Sequence, residues 1–364
     1  MLRRQFLKTL NVSGMGAILP ASALAKGGSP ATPQTAFSPP AKDSAVVAET
    51  GADWQTPKIG VVSVGGIGGT CLPSAGDRTG CLAYLSRTIA IDTYGVELHF
   101  MNADRKLLVG DSKTLLNAHA YGGLAASVSN QIEKAVAGLD MVLLVAGMGG
   151  ATGSGVAPIV AQVLREQNIL TLAFAVMPFD CEGAQRRQIA QVGLRELRPH
   201  ANAVIPFINN AFAPGAKKVK QISTAAQQVR LAFIELCRTI FNPVCRPGWV
   251  NIDFEDLRHI ILRQEGDCAF GFGAARGADG AAVAAMRAID QPSLGRDRLQ
   301  RASAVLVAFC ASPQGLTQGD SSSAMKTVRR VLPPNAHVIY GACSGETVDD
   351  EVAVSILANG IPKI

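Results

Sequence analysis

Two stretches of this sequence hold residue types at spacings that can do chemistry. The first is GMGGATGSG, Gly147 to Gly155, in which Gly147, Gly149, Gly150, Gly153 and Gly155 surround Met148, Ala151, Thr152 and Ser154. Glycines this dense pack no core and lose much entropy on ordering, so the loop reads as backbone that something must approach closely. Thr152 and Ser154 add hydroxyl donors. The second is NIDFED, Asn251 to Asp256. Asp253 and Asp256 are three apart at a helix start and share a face, where two carboxylates can orient and deprotonate a water. Capping explains the same acids, with Asp253 as N-cap and Glu255 and Asp256 answering the helix dipole.

The elements around the glycines say what they position. Met141 to Ala146 is an unbroken apolar run, which predicts a strand buried on both faces of a parallel sheet. Val156, Ile159, Val160, Val163 and Leu164 follow with helical spacing. Pro158 then falls in the first turn of that helix, where its missing N–H costs nothing. Strand, glycine loop and helix start together make an anion cradle, with free N–H groups and the positive dipole end aimed at a phosphate. A glycine-rich crossover turn is the plain alternative. No Gly-Lys-Ser/Thr follows, so the loop is not a Walker loop. Upstream, Ile59 to Val64 predicts another strand, and Gly65, Gly66, Gly68 and Gly69 a second glycine turn before Thr70. Cys71 stands where a dinucleotide fingerprint needs its third glycine.

GMGGATGSG resembles the signature loop of the tubulin/FtsZ family of nucleotide-dependent polymerising GTPases, and the resemblance runs from about Ile59 to Ile364. It implies an α/β fold in which a parallel-sheet nucleotide-binding domain is joined by a central helix to a smaller α/β domain. It also implies GTP or GDP as ligand, with Mg²⁺ expected beside the triphosphate. Phosphate would be held by Gly65, Gly66, Gly68, Gly69, Thr70 and the loop Gly147 to Ser154. Asn102 and Asp104, read as ending a strand in ELHFMNADRK, resemble the second loop, which contacts phosphate and metal. Tyr121-Gly122-Gly123 resembles the γ-phosphate-sensing loop only loosely. Glu182 and Arg186 stand where the family bonds the ribose, although a pair four apart is also an ordinary surface ion pair. Asn209 matches a base-contacting Asn. Counted without gaps, Ala226 replaces a stacking aromatic and Arg230 an Asp that reads guanine, which implies weaker purine selectivity. Asn251, Asp253 and Asp256 match the catalytic loop, which completes the site of the next subunit in a head-to-tail filament, in cell division or membrane remodelling.

Composition bounds these expectations. At 364 residues and 48% hydrophobic, the chain is long enough for two domains and a large core. Of the +6 net charge, Arg3, Arg4, Lys8 and Lys26 supply four with no acid among residues 1–26. Aromatic content is 5% and no basic stripe alternates with aromatics, which argues against nucleic acid as a partner. None of the eight cysteines forms a CxxC pair, so they read as reduced thiols, with no metal centre. The five histidines are scattered, and no catalytic constellation supports a dinucleotide-dependent enzyme.

The boundaries read as follows. Residues 1–26 carry RRQFLK and end near Ala23-Leu24-Ala25, resembling a twin-arginine export signal. A basic tether on an anionic membrane surface is the other reading, so the chain is cytoplasmic at the inner membrane or exported. Residues 27–57 are a Pro/Ala/Ser/Thr linker. The nucleotide domain is 58–217, the central helix 218–241 and the C-terminal domain 242–364. That last domain is read as strands at 269–274, 303–311, 336–343 and 351–358, with helices at 279–289 and 321–332. It lacks the tail peptide usual in the family, which implies that the tether lies at the N-terminus.

Overall fold

IGVVSV, MVLLVAG and LTLAFAVM carry no charge, and each forms a strand with nearly every residue buried: β1 (Ile59–Val64), β4 (Met141–Gly147) and β5 (Leu170–Met177). Strands buried on both faces need helices above and below, which is what parallel connections supply. This computed structural model describes residues 56–72, 80–110, 121–208, 222–246, 248–263, 266–312, 315–345 and 351–363. The leader 1–26, most of the linker 27–57, and Asn209 lie outside them. Thr56–Ile364 forms a compact unit.

The chain runs β1, α1 (Gly65–Cys71), β2 (Arg87–Asp92), α2 (Gly95–Phe100), β3 (Arg105–Leu108), α3 (Tyr121–Val136), β4, α4 (Ala151–Glu166), β5, α5 (Ala184–Leu197) and β6 (Ala203–Ile208). It continues with α6 (Ile222–Cys245), α7 (Phe254–Leu262), β7 (Asp267–Arg276), α8 (Gly280–Ile289), α9 (Arg296–Leu299), β8 (Ala304–Ala311), α10 (Gln318–Arg329), β9 (His337–Ser344) and β10 (Glu351–Ile361). One ten-stranded sheet has the order β3-β2-β1-β4-β5-β6-β7-β10-β8-β9. The first six strands are parallel; β10 is antiparallel to β7 and β8, and β8 pairs parallel with β9. Because β1 has β2 on one side and β4 on the other, the order reverses there, and the loops after β1 and β4 flank the crevice where such sheets bind ligands.

Two cores cover the sheet's first half. Val62, Val64, Val142 and Leu144 face α3, α4 and α5, while Ile59, Val61, Leu143 and Phe174 face α6 through Phe233, Leu236 and Phe241. The second core runs on through Phe270, Leu306 and Leu357, so α6 joins both halves as the sequence implied. ELHF is helical in α2 rather than a strand. Its apolar-polar alternation is misleading, since only Leu98 is buried while Val96 and Phe100 are exposed. Among the described residues no helix is long and apolar enough to cross a membrane.

The sheet passes from half to half at a single pair, Val204 with Asp267. Beside it, Arg198 after α5 donates from Nε to Asp267 Oδ1 at 2.9 Å and from Nη2 to Oδ2 at 2.6 Å, with side chains 12% and 2% exposed. Arg298, its own pKa lowered by burial, also feels the Asp267 charge. Removing the acid leaves guanidinium charge buried without its counter-ion. Asp267→Ala is therefore expected to cost about 3–5 kcal/mol in urea unfolding, far more than loss of an exposed pair.

Candidate functional site

The glycine loops meet at the crevice between β1 and β4. A Cβ on Gly153 would overlap the Gly147 carbonyl, and one on Gly147 would overlap Ile67 of α1. Gly65, at φ +77°, has Thr152 Cβ and Gly153 N as its nearest neighbours. Only absent side chains let α1, α4 and the end of β4 come this close. Gly149, at φ +93°, lies against Arg186, and its N–H donates to Ser154 Oγ at 2.8 Å. Gly150 is different: a Cβ there meets nothing within 4 Å, so it borders open space.

Both helices begin earlier than the sequence suggested. α1 starts at Gly65, whose own φ is left-handed, so Gly66, Gly68 and Gly69 are helical rather than a turn, and α4 starts at Ala151 rather than near Val156. Pro158 is thus inside α4 and cannot donate to the Ser154 carbonyl, which Gly193 of α5 packs against. Glycines hid these starts because they are poor helix formers, and here tertiary packing outweighs that preference. The first turn of α4 leaves the N–H groups of Ala151, Thr152 and Gly153 outside the helical ladder, the first bond being Ser154 N–H to Gly150 O at 3.1 Å. These are anion donors at the positive dipole end.

The hydroxyls divide by role. Ser154 is buried and holds Gly149, and Thr70 donates to Ile67 O within α1, so both are occupied by the protein itself. Thr152 instead shares a 2.6 Å hydrogen bond with Thr93. Thr93 follows Asp92 at the end of β2, and this pair is what the sequence reading missed. Asp92 is buried; its Oδ1 accepts from the Thr93 and Tyr94 N–H groups, and its Oδ2 has no hydrogen-bond partner among the described residues. Burial pushes its carboxyl above the usual range, with Glu97 adding to the rise and the backbone and Thr152 hydrogen bonds opposing it.

Asn102 and Asp104, expected here, are elsewhere. Both are exposed, and Asp104 accepts from Thr88 N–H at 2.7 Å and from the Thr88 hydroxyl at 3.0 Å. Thr88 lies four residues below Asp92, about 13 Å along the strand. Asp104 therefore caps the far end of the sheet and takes no part in the crevice. The string Asn-Ala-Asp misled; the usable signal was the acid closing the buried strand RTIAID. Met101, just before it, packs on Gly69, and Glu97 borders Gly66.

Glu182 and Arg186 flank the loop as an ion pair at 3.0 Å, and the second Glu182 oxygen accepts from Phe179 N–H at 2.8 Å. On α6, Ala226 is buried, and half-buried Arg230 is near enough to Cys71 of α1 to favour the thiolate, although burial pushes that thiol up to about 12. Asn209 lies outside the described residues. Tyr121-Gly122-Gly123 opens α3.

The acids stand apart from all of this. Ile252 N–H bonds Pro243 O near the end of α6, about 20 Å along the helix from Arg230. Asn251 Oδ1 accepts from Gly248 N–H at 2.8 Å, and Asp253 caps α7, accepting from Asp256 N–H at 2.6 Å. The Asp256 carboxylate has no partner among the described residues. Arg230, which lies near α1, and the attachment point of the acid-bearing loop are thus well separated along α6.

Comparison with known proteins agrees with this geometry. The family profile "Tubulin/FtsZ family, GTPase domain" matches residues 58–215, and "FtsZ family, C-terminal domain" matches 266–362. The cell division protein FtsZ of Mycoplasmopsis pulmonis is 32% identical over 286 residues, 73% of this chain and 71% of that protein. FtsZ of Caulobacter vibrioides is 30% identical over 84% of this chain, which spans only 60% of that longer relative. Among solved structures, an FtsZ dimer from M. jannaschii superposes with a TM-score of 0.73 at 26% identity, covering 85% of this chain and 89% of that one. The chain belongs to the tubulin/FtsZ family.

The unpaired Asp92 oxygen sets a testable cost. Without ligand, Asp92→Asn is expected to stabilise the chain by about 1 kcal/mol at neutral pH, because it removes a buried charge while keeping the Oδ1 acceptor. Denaturant midpoints of wild type and variant check this; a destabilised variant contradicts it.

Proposed function

We propose that the protein binds GTP in the crevice, assembles head to tail, and hydrolyses the nucleotide where the Asp256 end of one subunit meets the glycine loops of the next. The observation that carries this reading is the separation along α6: cradle and spare carboxylate cannot meet within one chain, so a second copy must complete the site. A repeated contact between unlike surfaces that does not close gives a filament. The M. jannaschii relative's structure is described as a dimer, which supports self-association. Residues 58–217 would be the nucleotide domain, 218–241 the linking helix and 242–364 the domain bearing the acids. The task we assign is a cell-division or membrane-remodelling filament.

The N–H groups of Ala151, Thr152 and Gly153 bind phosphate oxygens, with Gly150 leaving room for the approach. Thr152 and Thr93 orient on the same side. Mg²⁺, when bound with the triphosphate, supplies charge neutralisation; the orphaned buried oxygen of Asp92 is the feature that fits a cation beside it. Asn251 and Asp253 already spend an oxygen each on the backbone, so their part is to hold the loop. Asp256 retains an unspent carboxylate to take the proton of the attacking water.

Residues 1–26 are proposed as the membrane contact at the cytoplasmic face. In fractionated cells, Arg3→Lys with Arg4→Lys should leave a charge-based tether at the membrane, while loss of the membrane-derived or exported pool would mark a twin-arginine signal instead.

Hydrolysis itself gives the main test. Turnover per subunit should rise with protein concentration and vanish below an assembly threshold. Asp256→Ala should keep nucleotide binding and lose roughly 10²-fold or more in turnover. Gly150→Val, whose side chain would enter open space at an allowed backbone angle, should fold normally but lose binding. Mixing the two should restore activity, since nucleotide on one variant meets the intact acid of the other. Turnover independent of concentration sinks the proposal; assembly without any turnover points to a non-catalytic scaffold.

A further inference from the structure

Cys310 and Cys343 are register partners on the parallel strands β8 and β9. Strands about 4.8 Å apart put such a pair within the Cα separation that disulfides span. Both side chains face α6. Asn242 Nδ2 donates to Cys310 Sγ at 3.8 Å, while the buried Asn242 Oδ1 has no partner among the described residues. Cys343 Sγ donates to Phe309 O at 3.5 Å and is also placed to donate to Cys310. Arg246 and Arg238 add positive charge near Cys310, opposed by Glu235. Two other buried thiols differ. Cys71 and Cys268 are buried with pKa values pushed up by desolvation, whereas that of Cys310, half-buried, is lowered chiefly by the Cys343 thiol.

The pair also supports the acid-bearing loop. Val250 N–H bonds Ala342 O at 3.0 Å and Ala342 N–H bonds Val250 O at 2.9 Å. A Cβ on Gly248 would lie 3.2 Å from Cys343 Cα and 2.6 Å from Ala342 O, so the loop rests on the Cys343 backbone. Gly345 likewise closes over Cys310 Sγ with no room for a side chain.

We propose that Cys310 and Cys343 form a peroxide-reactive thiol pair whose disulfide displaces the Gly248–Asn251 loop and so switches off hydrolysis. Cys310, having lost its proton to solvent, attacks one oxygen of hydrogen peroxide as the thiolate; the O–O bond breaks, an S–O bond forms, and hydroxide leaves and takes up that proton as water. The Cys343 thiol then attacks the Cys310 sulfur, the S–O bond breaks, and the second hydroxide leaves with the thiol's proton as water. Two thiols and one hydrogen peroxide give one disulfide and two waters, with two electrons passing from sulfur to oxygen. The effect on hydrolysis rests on the catalytic reading of the loop; the thiol chemistry does not.

The test treats the full chain with graded hydrogen peroxide, then maps thiols by alkylation and non-reducing mass spectrometry. Wild type should yield a Cys310–Cys343 linkage reversible by dithiothreitol, and Cys343→Ser should instead accumulate sulfenic acid on Cys310, trapped by dimedone. If both thiols stay alkylatable at peroxide levels that consume the exposed Cys181, the pair is overturned. Loop displacement is read separately from the fluorescence of Trp249, 47% exposed, in a Trp54→Phe background, which leaves it as the only tryptophan. Oxidation should change that signal and lower turnover about tenfold or more, as expected for a shifted catalytic group, with nucleotide binding retained and Cys310→Ser immune. A disulfide that leaves Trp249 fluorescence and turnover unchanged overturns the switch. A reduced chain with no turnover overturns the catalytic reading alone, and the Trp249 signal still decides the switch.

Discussion

The contact of Gly153 with the Gly147 carbonyl, where no side chain fits, is the constraint on which the shape of the crevice depends. It seats the first turn of α4 on the end of β4 and turns the free N–H groups toward the crevice. Ile67 of α1 then fills the space beside Gly147, which brings the loop after β1 against the same turn. Ser154 completes the lock by accepting from Gly149, whose left-handed backbone lets the chain reverse. The cradle is therefore held by backbone contacts and one buried hydroxyl. No lysine is needed to shape it, in keeping with a loop that lacks the Walker pattern.

What the sequence made legible follows from which forces act locally. Charge-free runs such as MVLLVAG and LTLAFAVM read as strands buried on both faces, and the glycine clusters after β1 and β4 marked where backbone approaches backbone. The parallel sheet was readable on that basis, whereas the central helix and the kinship came from the resemblance of GMGGATGSG to the tubulin/FtsZ signature loop. Helix starts were not, because Gly66–Gly69 and Ala151–Gly153 are helical through tertiary contacts that local propensity cannot register. The second loop was misplaced for a related reason. Val-Glu-Leu-His-Phe alternates like a strand, yet α2 packs through Leu98 alone. Its false strand drew attention to Asn102 and Asp104 and away from Asp92, whose importance comes from burial that composition does not reveal.

Glu182 and Arg186 illustrate how two readings of one pair coexist. Their ion pair is a surface contact of ordinary kind, worth little by itself when half-exposed. Yet Glu182 also holds Phe179 N–H, and the stem of Arg186 covers Gly149, so the pair walls one side of the loop. A substitution there would disturb the cradle through packing as well as charge.

The acids at the other end resolve the same way. Capping and catalysis were alternative explanations of Asp253 and Asp256; the structure shows the cap on Asp253, and the catalytic part stays with our proposal for Asp256. Asp253 spends Oδ1 on the backbone N–H of Asp256, which is the cap. That bond fixes the backbone of Asp256 while asking nothing of its carboxylate. Asn251 in turn holds Gly248, and Val250 is bonded to β9, so the whole loop is tied to the sheet on one side and to the helix on the other. A carboxylate with no partner among the described residues, on a backbone this constrained, would lose little freedom on taking up a water, which is what the proposed donation of a group to a neighbour's site would require.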